Sequence, residues 1–464
     1  MTKTRRRDFI ARTMTTTLGA SLGLPVFLRG KVAYAEDLPR FEGFEHKGMF
    51  IRECSLPNET RADDVFPAHP NGIQVSRDRW LILYATRGFR GCDDDRSIVY
   101  QLRRNAPDGP IIKEGMLERC IDDWDPFGDG SKYVKQQGHP VGFGVPLGVQ
   151  FDGKPAAHAN LFVVKWRVMA LKLDRSTGQI HFDGKLHSKT QAVEWVQVRL
   201  NQDQSDIEIV QPVEKMRQKG FATEGPFCSA DVAHMNQTFI QAVPFTKDCT
   251  QWVDCNHFDK HRVAALKYTY NPVQGLYEWT ATGPFLFDRP VFEASIVPYR
   301  GRWIITARPT VAGTAWLQTD DPFAAKATPV YKTNEPQTRV PRTLYKCADG
   351  VFRLFTADPK SSPYGNIRNP LYFWDVDPDA GFACTNRTVV FDSVKAGLQR
   401  RGNPMVGMCK LLAPCGNSQI LLHRVAPRVY NPKLAQEDKA DFGIYYGRLV
   451  FDKRLPSSWK FINS

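Results

Sequence analysis

The chain has 464 residues, 42% of them apolar, with a formal net charge of +13, 34 glycines, 32 prolines and ten cysteines. A chain of this size buries a core without disulfide staples, and its evenly spread Gly and Pro punctuate short strands rather than long helices. The basic residues are scattered with no lysine-rich run, which sets nucleic acid aside as a partner and suits an acidic glycan.

Residues 1–35 read as an export signal. Arg5-Arg6-Arg7-Asp8-Phe9-Ile10 is followed by a weakly apolar run from Met14 to Leu28, then by Arg29, Lys31 and the small-residue site Ala33-Tyr34-Ala35. Paired arginines, a Thr- and Gly-rich centre and late basic residues describe a twin-arginine signal peptide. The apolar run is too short and too interrupted to span a membrane. Cleavage leaves 36–464 as one mature domain with a net charge of about +7, expected as a periplasmic or secreted monomer.

One pattern recurs through the mature chain: a short polar turn followed by an apolar strand that often ends on a charge. In order, these strands are Trp80 to Arg87, Leu161 to Arg167, Thr238 to Val243, Trp303 to Arg308, Val351 to Asp358 and Gln419 to Arg424. Further strands lie between them at Ser97 to Arg103, Arg262 to Tyr270 and Pro370 to Asp375. Val213 to Lys219 is the best helical stretch, and it is a poor one. Six repeats at this spacing predict a single all-β domain, a six-bladed β-propeller, with seven blades or a sandwich as alternatives.

Phe292 to Arg308 reads as a hairpin turning at Arg300-Gly301, with Glu293 and Arg308 brought together at its end. A carboxylate and a guanidinium on a rigid sheet suit recognition of an anionic or hydroxyl-rich substrate. Two other regions offer converging polar groups. One is His69-Pro70-Asn71-Gly72 with Arg87 and the acids Asp93, Asp94 and Asp95; the other is Asn366-Ile367-Arg368-Asn369-Pro370. His139 and His158 are further candidates, and Trp124, Phe127, Tyr133 and Trp374 could stack on sugar rings. Cys249-x5-Cys255-x-His257-x3-His261 departs from the standard zinc spacings. A loop disulfide there is therefore preferred to a metal, Cys409 and Cys415 are close enough to pair as well, and no cofactor is expected.

Taken together, these segments resemble the sialidase-like superfamily of propeller enzymes, in a form that lacks the Ser-x-Asp-x-Gly-x-Thr-Trp boxes. The stretch from Glu293 through Gly301-Arg302-Trp303 to Arg308 is similar to the family segment carrying a catalytic glutamate and a carboxylate-binding arginine. Asn366 to Phe373 is similar to the segment carrying another such arginine, here Arg368, and Arg87 to Asp95 resembles the loop with the acid/base aspartate, here Asp94. Two departures stand out. His69-Pro70 occupies the place of the family's first arginine, and Arg401-Gly402-Asn403-Pro404-Met405 has no tyrosine where the nucleophile belongs.

The resemblance implies an exported glycoside hydrolase acting on an acidic or hydroxyl-rich glycan. Glu293 and Asp94 would supply acid/base chemistry, and Arg87, Arg308 and Arg368 would bind the substrate. The alternatives are a polysaccharide lyase with His69 as base and Arg308 or Arg368 as carboxylate clamp, or a non-catalytic carbohydrate-binding propeller.

Overall fold

A computed structural model describes residues 38–462 apart from 57–64, 92–93, 182, 184–185, 187–188, 217–232, 236–237, 247–260, 325–327, 334–335, 337, 339, 365–367, 399–403 and 428–440. The expected signal peptide, Asp93, Asn366, Ile367, Arg401 to Asn403 and the Cys249-to-His257 stretch thus lie outside the described residues. No helix among the described residues is long and apolar enough to cross a membrane.

Six antiparallel sheets form the six blades of a β-propeller. Blade 1 is Val65–Ser76, Arg79–Gly88, Asp95–Arg104 and Ile111–Glu118. Blade 2 is Tyr133–Val145, Leu161–Leu173, Ala192–Leu200 and Ile207–Lys215, with Ile121–Trp124 added beyond its first strand. Blade 3 runs from Ala233–Met235 through Thr238–Thr246 and His261–Asn271 to Leu276–Phe285. Blade 4 is Val291–Tyr299, Arg302–Pro309, Thr314–Thr319 and Val330–Lys332, and blade 5 is Thr343–Lys346, Phe352–Ala357, Leu371–Asp377 and Ala383–Phe391. Blade 6 takes Met405–Leu411, Ser418–Ala426 and Gly443–Phe451 from the end of the chain and Phe41–Ile51 from its beginning as the outermost strand.

Each of the six recurring segments read from the sequence is the second strand of a blade. These strands are apolar on both faces because both faces meet a neighbouring blade. Trp80, Leu81, Ile82, Leu83 and Tyr84 are all buried in this way. Six apolar clusters fill the gaps between successive blades. Leu83 and Trp166 share one, Phe143 and Tyr268 the next, Ile240 and Trp303 the third, Trp316 and Leu354 the fourth, Phe373 and Leu421 the fifth, and Ile82 with Leu422 the sixth. The last of these joins blade 6 to blade 1, so the ring is closed.

Outer strands keep one wet face, and one of them corrects an expectation. Val213 to Lys215 is the end of a strand rather than helix, because Glu194 and Trp195 pair with Lys215 and Glu214 across the ladder. Cys415 carries a free thiol packed against the Asn105 carbonyl at 3.9 Å, so the proposed bridge to Cys409 is not formed. The hairpin at Arg300-Gly301 is as read, with both turn residues at positive φ (49° and 78°), which matches the twist of the flanking strands. Trp374 is core, whereas Phe127 is exposed beside Tyr133.

Burial of histidine links the fold to pH. His423 is fully buried between Phe391 and Tyr445, and burial, then His46, pushes its ring down to about 3, while His234 falls to about 4 through burial and His158. The unfolded chain therefore takes up protons below about pH 6.5 that the folded chain refuses, so stability is full above that value and falls as the pH drops toward these folded-state values. We expect His423→Phe to flatten that loss by about 1.4 kcal/mol per pH unit between pH 6 and 4. Urea unfolding at a series of pH values measures it, and an unchanged slope contradicts the assignment.

Candidate active site at the axis

The first strand of a blade runs along the propeller axis, and four of the six carry the same irregularity. The pairing slips between Ala68 and Asn71, opposite Lys165 to Arg167 in blade 2, between Phe292 and Ser295, and between Gly407 and Lys410. At each slip one non-glycine residue adopts a left-handed backbone: His69 (φ 53°), His139 (57°), Glu293 (48°) and Met408 (55°). A bulge re-aims a side chain, and left-handed conformations of such residues gather at functional sites. All four line one depression at the axis, joined by Pro341, Arg342 and Thr343 ahead of blade 5. It encloses about 480 Å³, open solvent included.

Beneath His69 lies a buried polar hub. Asp95, the first residue of its strand and wholly buried, accepts from Arg87 Nη1 at 2.8 Å and Gln136 Nε2 at 2.9 Å, and stands 3.1 Å from His69 Nε2. Arg167 comes within 3.8 Å of its other oxygen, and Arg424 Nη1 lies 3.3 Å from His69 Nε2. Gly138 makes the approach of blade 2 feasible, since a Cβ there would sit 2.5 Å from Asp95 Oδ2. The His139 ring packs on His69 at 3.8 Å between centroids, and its Nδ1 has no hydrogen-bond partner. Burial, then His69 and Arg167, hold His139 well below the usual histidine range, so it is neutral.

His69, Asp95 and His139 offer ligand atoms within 4.8 Å of one another, a spacing that could hold a metal ion. The Arg87 guanidinium nevertheless already sits on both Asp95 Oδ1 and His69 Nε2, so a divalent cation would have to displace or face it. The group fits a hydrogen-bonded carboxylate–histidine pair better than a metal centre.

Across the depression Glu293 Oε2 accepts from Arg308 Nη1 at 2.8 Å. Arg342, only 3% exposed, donates Nη1 to the Gly313 carbonyl and has no partner for Nε or Nη2. Burial, then Arg308, push its guanidinium below the ordinary arginine range, while Glu293 works the other way. An anion arriving in the depression would satisfy these two N–H groups.

Of the residues singled out in the sequence, the depression brings together His69, His139 and Glu293, with Arg87 behind the first and Arg308 beside the last. Arg368 stands before the cis Asn369-Pro370 bond and is not part of the lining. Neither are Asp94 and His158; His158 is stacked on Phe151 in another part of the ring. Asp94 is wholly buried and bridges Arg90 (3.0 Å) and Arg96 (3.1 Å), and although burial pushes its carboxyl up, Arg96 and Arg90 hold it below the usual range. Arg342 and Met408 were not chosen from the sequence; His139 was named there only as a further candidate, and Asp95 was one of the three acids from which Asp94 was taken. The repeated His-Pro dipeptide at 69–70 and 139–140 was a usable signal for His139.

Asp94→Asn leaves the buried Arg96 guanidinium poorly compensated and Arg90 with Asp122 as its remaining carboxylate, so we expect a loss of about 3 kcal/mol in urea unfolding, with turnover per folded molecule nearly unchanged. Loss of turnover at unchanged stability would instead place Asp94 in the chemistry.

No family model and no curated protein matches the sequence. Among solved structures, a protein of unknown function from Dyadobacter fermentans shares 10% identity, with 89% of this chain and 100% of that one covered at a TM-score of 0.54. The sialidase of Trypanosoma rangeli in complex with the inhibitor DANA shares 11% identity over 83% of this chain (TM-score 0.50), and a mutant of it displaying trans-sialidase activity shares 12% over 88% (TM-score 0.50). The chain spans 55% and 58% of those two sialidase chains. At this identity the likeness concerns architecture: the chain has the six-bladed propeller fold seen in sialidases.

Proposed function

We propose that this is an exported glycan-active enzyme that cleaves an acidic polysaccharide by β-elimination at the axial depression. The observation that carries this reading is the composition of the lining: two imidazoles, a buried arginine with two unpartnered N–H groups, and Glu293 as the one carboxylate among the described residues there. Hydrolysis by paired carboxyl groups needs a second acid at the scissile bond, and Asp94 is committed to Arg90 and Arg96. Elimination needs a neutral base and a cation on the substrate carboxylate.

In this reading Arg342, backed by Arg308, grips the uronate carboxylate and stabilises the charge that develops on it. In the same reading His69 carries its proton on Nε2, shared with Asp95 Oδ1 at 3.1 Å, which leaves Nδ1 as the basic nitrogen. His69 takes the proton from the carbon beside the carboxylate, the electron pair enters a new carbon–carbon double bond, and the carbon–oxygen bond to the next sugar breaks. The departing oxygen takes its proton from the solvent that fills the open depression. Neutral His139 supports this by adding no charge beside His69 and by closing the floor around it.

Activity on uronate polymers should give an unsaturated product with ultraviolet absorbance. His69→Ala should lower its rate by about 10²- to 10⁴-fold and Arg342→Ala by about 10²-fold or more. Arg342→Lys should restore only part, because a lysine lacks the planar fork. New reducing ends without that absorbance would mean hydrolysis, and neither signal with retained affinity would mean a binding protein.

A further inference from the structure

The opposite end of the ring holds a larger cavity, of about 1250 Å³ with open solvent included. Gln74 and Arg77 reach it from the far end of the strand that carries His69, together with Trp80 of the next strand and Cys415-Gly416 of blade 6. Five residues of extended chain separate Gln74 from His69, roughly 16 Å, so the two sites are distinct. The C-terminal segment roofs the cavity. Leu455 donates to the Gly416 carbonyl (2.8 Å), Ile462 to Gly148 (2.8 Å) and Gln150 to Lys460 (2.9 Å), so the segment straps blade 6 to blade 2.

Three features of this cavity point to a ligand. Its charged lining is Arg77, Arg454 and Lys460, no carboxylate lines it, and none of the three cations makes an ion pair with a described residue. Trp459 borders it half-buried, with His234 against its ring at 5.0 Å. Trp80 is 1% exposed, and its indole N–H has no hydrogen-bond partner. Buried donors of this kind ordinarily find an acceptor.

We propose that this cavity is a second glycan site, which holds a carboxylate-bearing oligosaccharide without cleaving it. A sugar ring packs on Trp459, the carboxylates pair with Arg454 and Lys460, and an oxygen at the floor accepts from Trp80. The inference does not rest on the elimination chemistry, because none of these groups belongs to the axial depression.

The test is calorimetric titration of the Arg342→Ala full-length protein with tri-galacturonate, with maltotriose as the neutral control. We expect the Arg342→Ala protein to bind tri-galacturonate at one site and to ignore maltotriose. Adding Arg454→Glu and Lys460→Glu should weaken binding about tenfold at an unchanged melting temperature. Trp459→Ala should weaken it as well. The proposal fails if Arg342→Ala abolishes all binding, which would leave only the axial site, if the double charge reversal changes nothing, or if the neutral sugar binds equally.

Discussion

A single buried carboxylate, Asp95, holds the axis of this ring together. It belongs to blade 1, takes hydrogen bonds from Arg87 of its own blade and Gln136 of blade 2, and faces His69, which Arg424 of blade 6 also approaches. A buried charge is tolerable only when its lone pairs are answered, and here the answers come from blades 1 and 2, with blade 6 reaching His69 behind them. The same contacts that secure the neighbours therefore fix the His69 ring at the floor of the depression. Stability and site geometry meet in one group. Removing it would leave the surrounding guanidiniums facing each other in a medium that screens them poorly.

The fold was legible because its signal is local. All six second strands are rich in apolar residues after polar turns, and burial between neighbouring blades calls for that composition. The hairpin around Arg300-Gly301 was equally plain. The site was legible only in part. Glu293 and Arg308 meet as expected, but through a bulge that places Arg308 opposite Phe292 in the ladder, which simple alternation does not describe. Asp94 and Asp95 differ by one position, and at a strand start one position decides which side the carboxylate faces. Nothing local marks Arg342, which precedes a short strand and acquires its meaning from blade 4, where Gly313 receives it.

The repeated bulge explains how an otherwise regular ring presents different chemistry from each blade. Four of the six first strands spend one residue in an unfavourable backbone conformation, at a cost of about 1 kcal/mol or more, to aim a side chain at the axis. The scaffold is indifferent to which residue that is: imidazole in blades 1 and 2, carboxylate in blade 4, thioether in blade 6. Such an arrangement separates the residues that hold the sheets from those that face a ligand, so the latter can change without repacking the former. Low sequence identity with other propellers of this architecture is then unsurprising.

Blade 6 is completed by Phe41–Ile51, drawn from some 390 residues upstream of Gly443–Phe451. Some 390 further residues must therefore be made before the circle can shut, and until then Phe41–Ile51 waits with its backbone edge unsatisfied and open to foreign strands. Assembly of this molecule is accordingly a late, all-or-nothing event governed by the meeting of two remote ends, and a cell making it has reason to shield the unfinished rim.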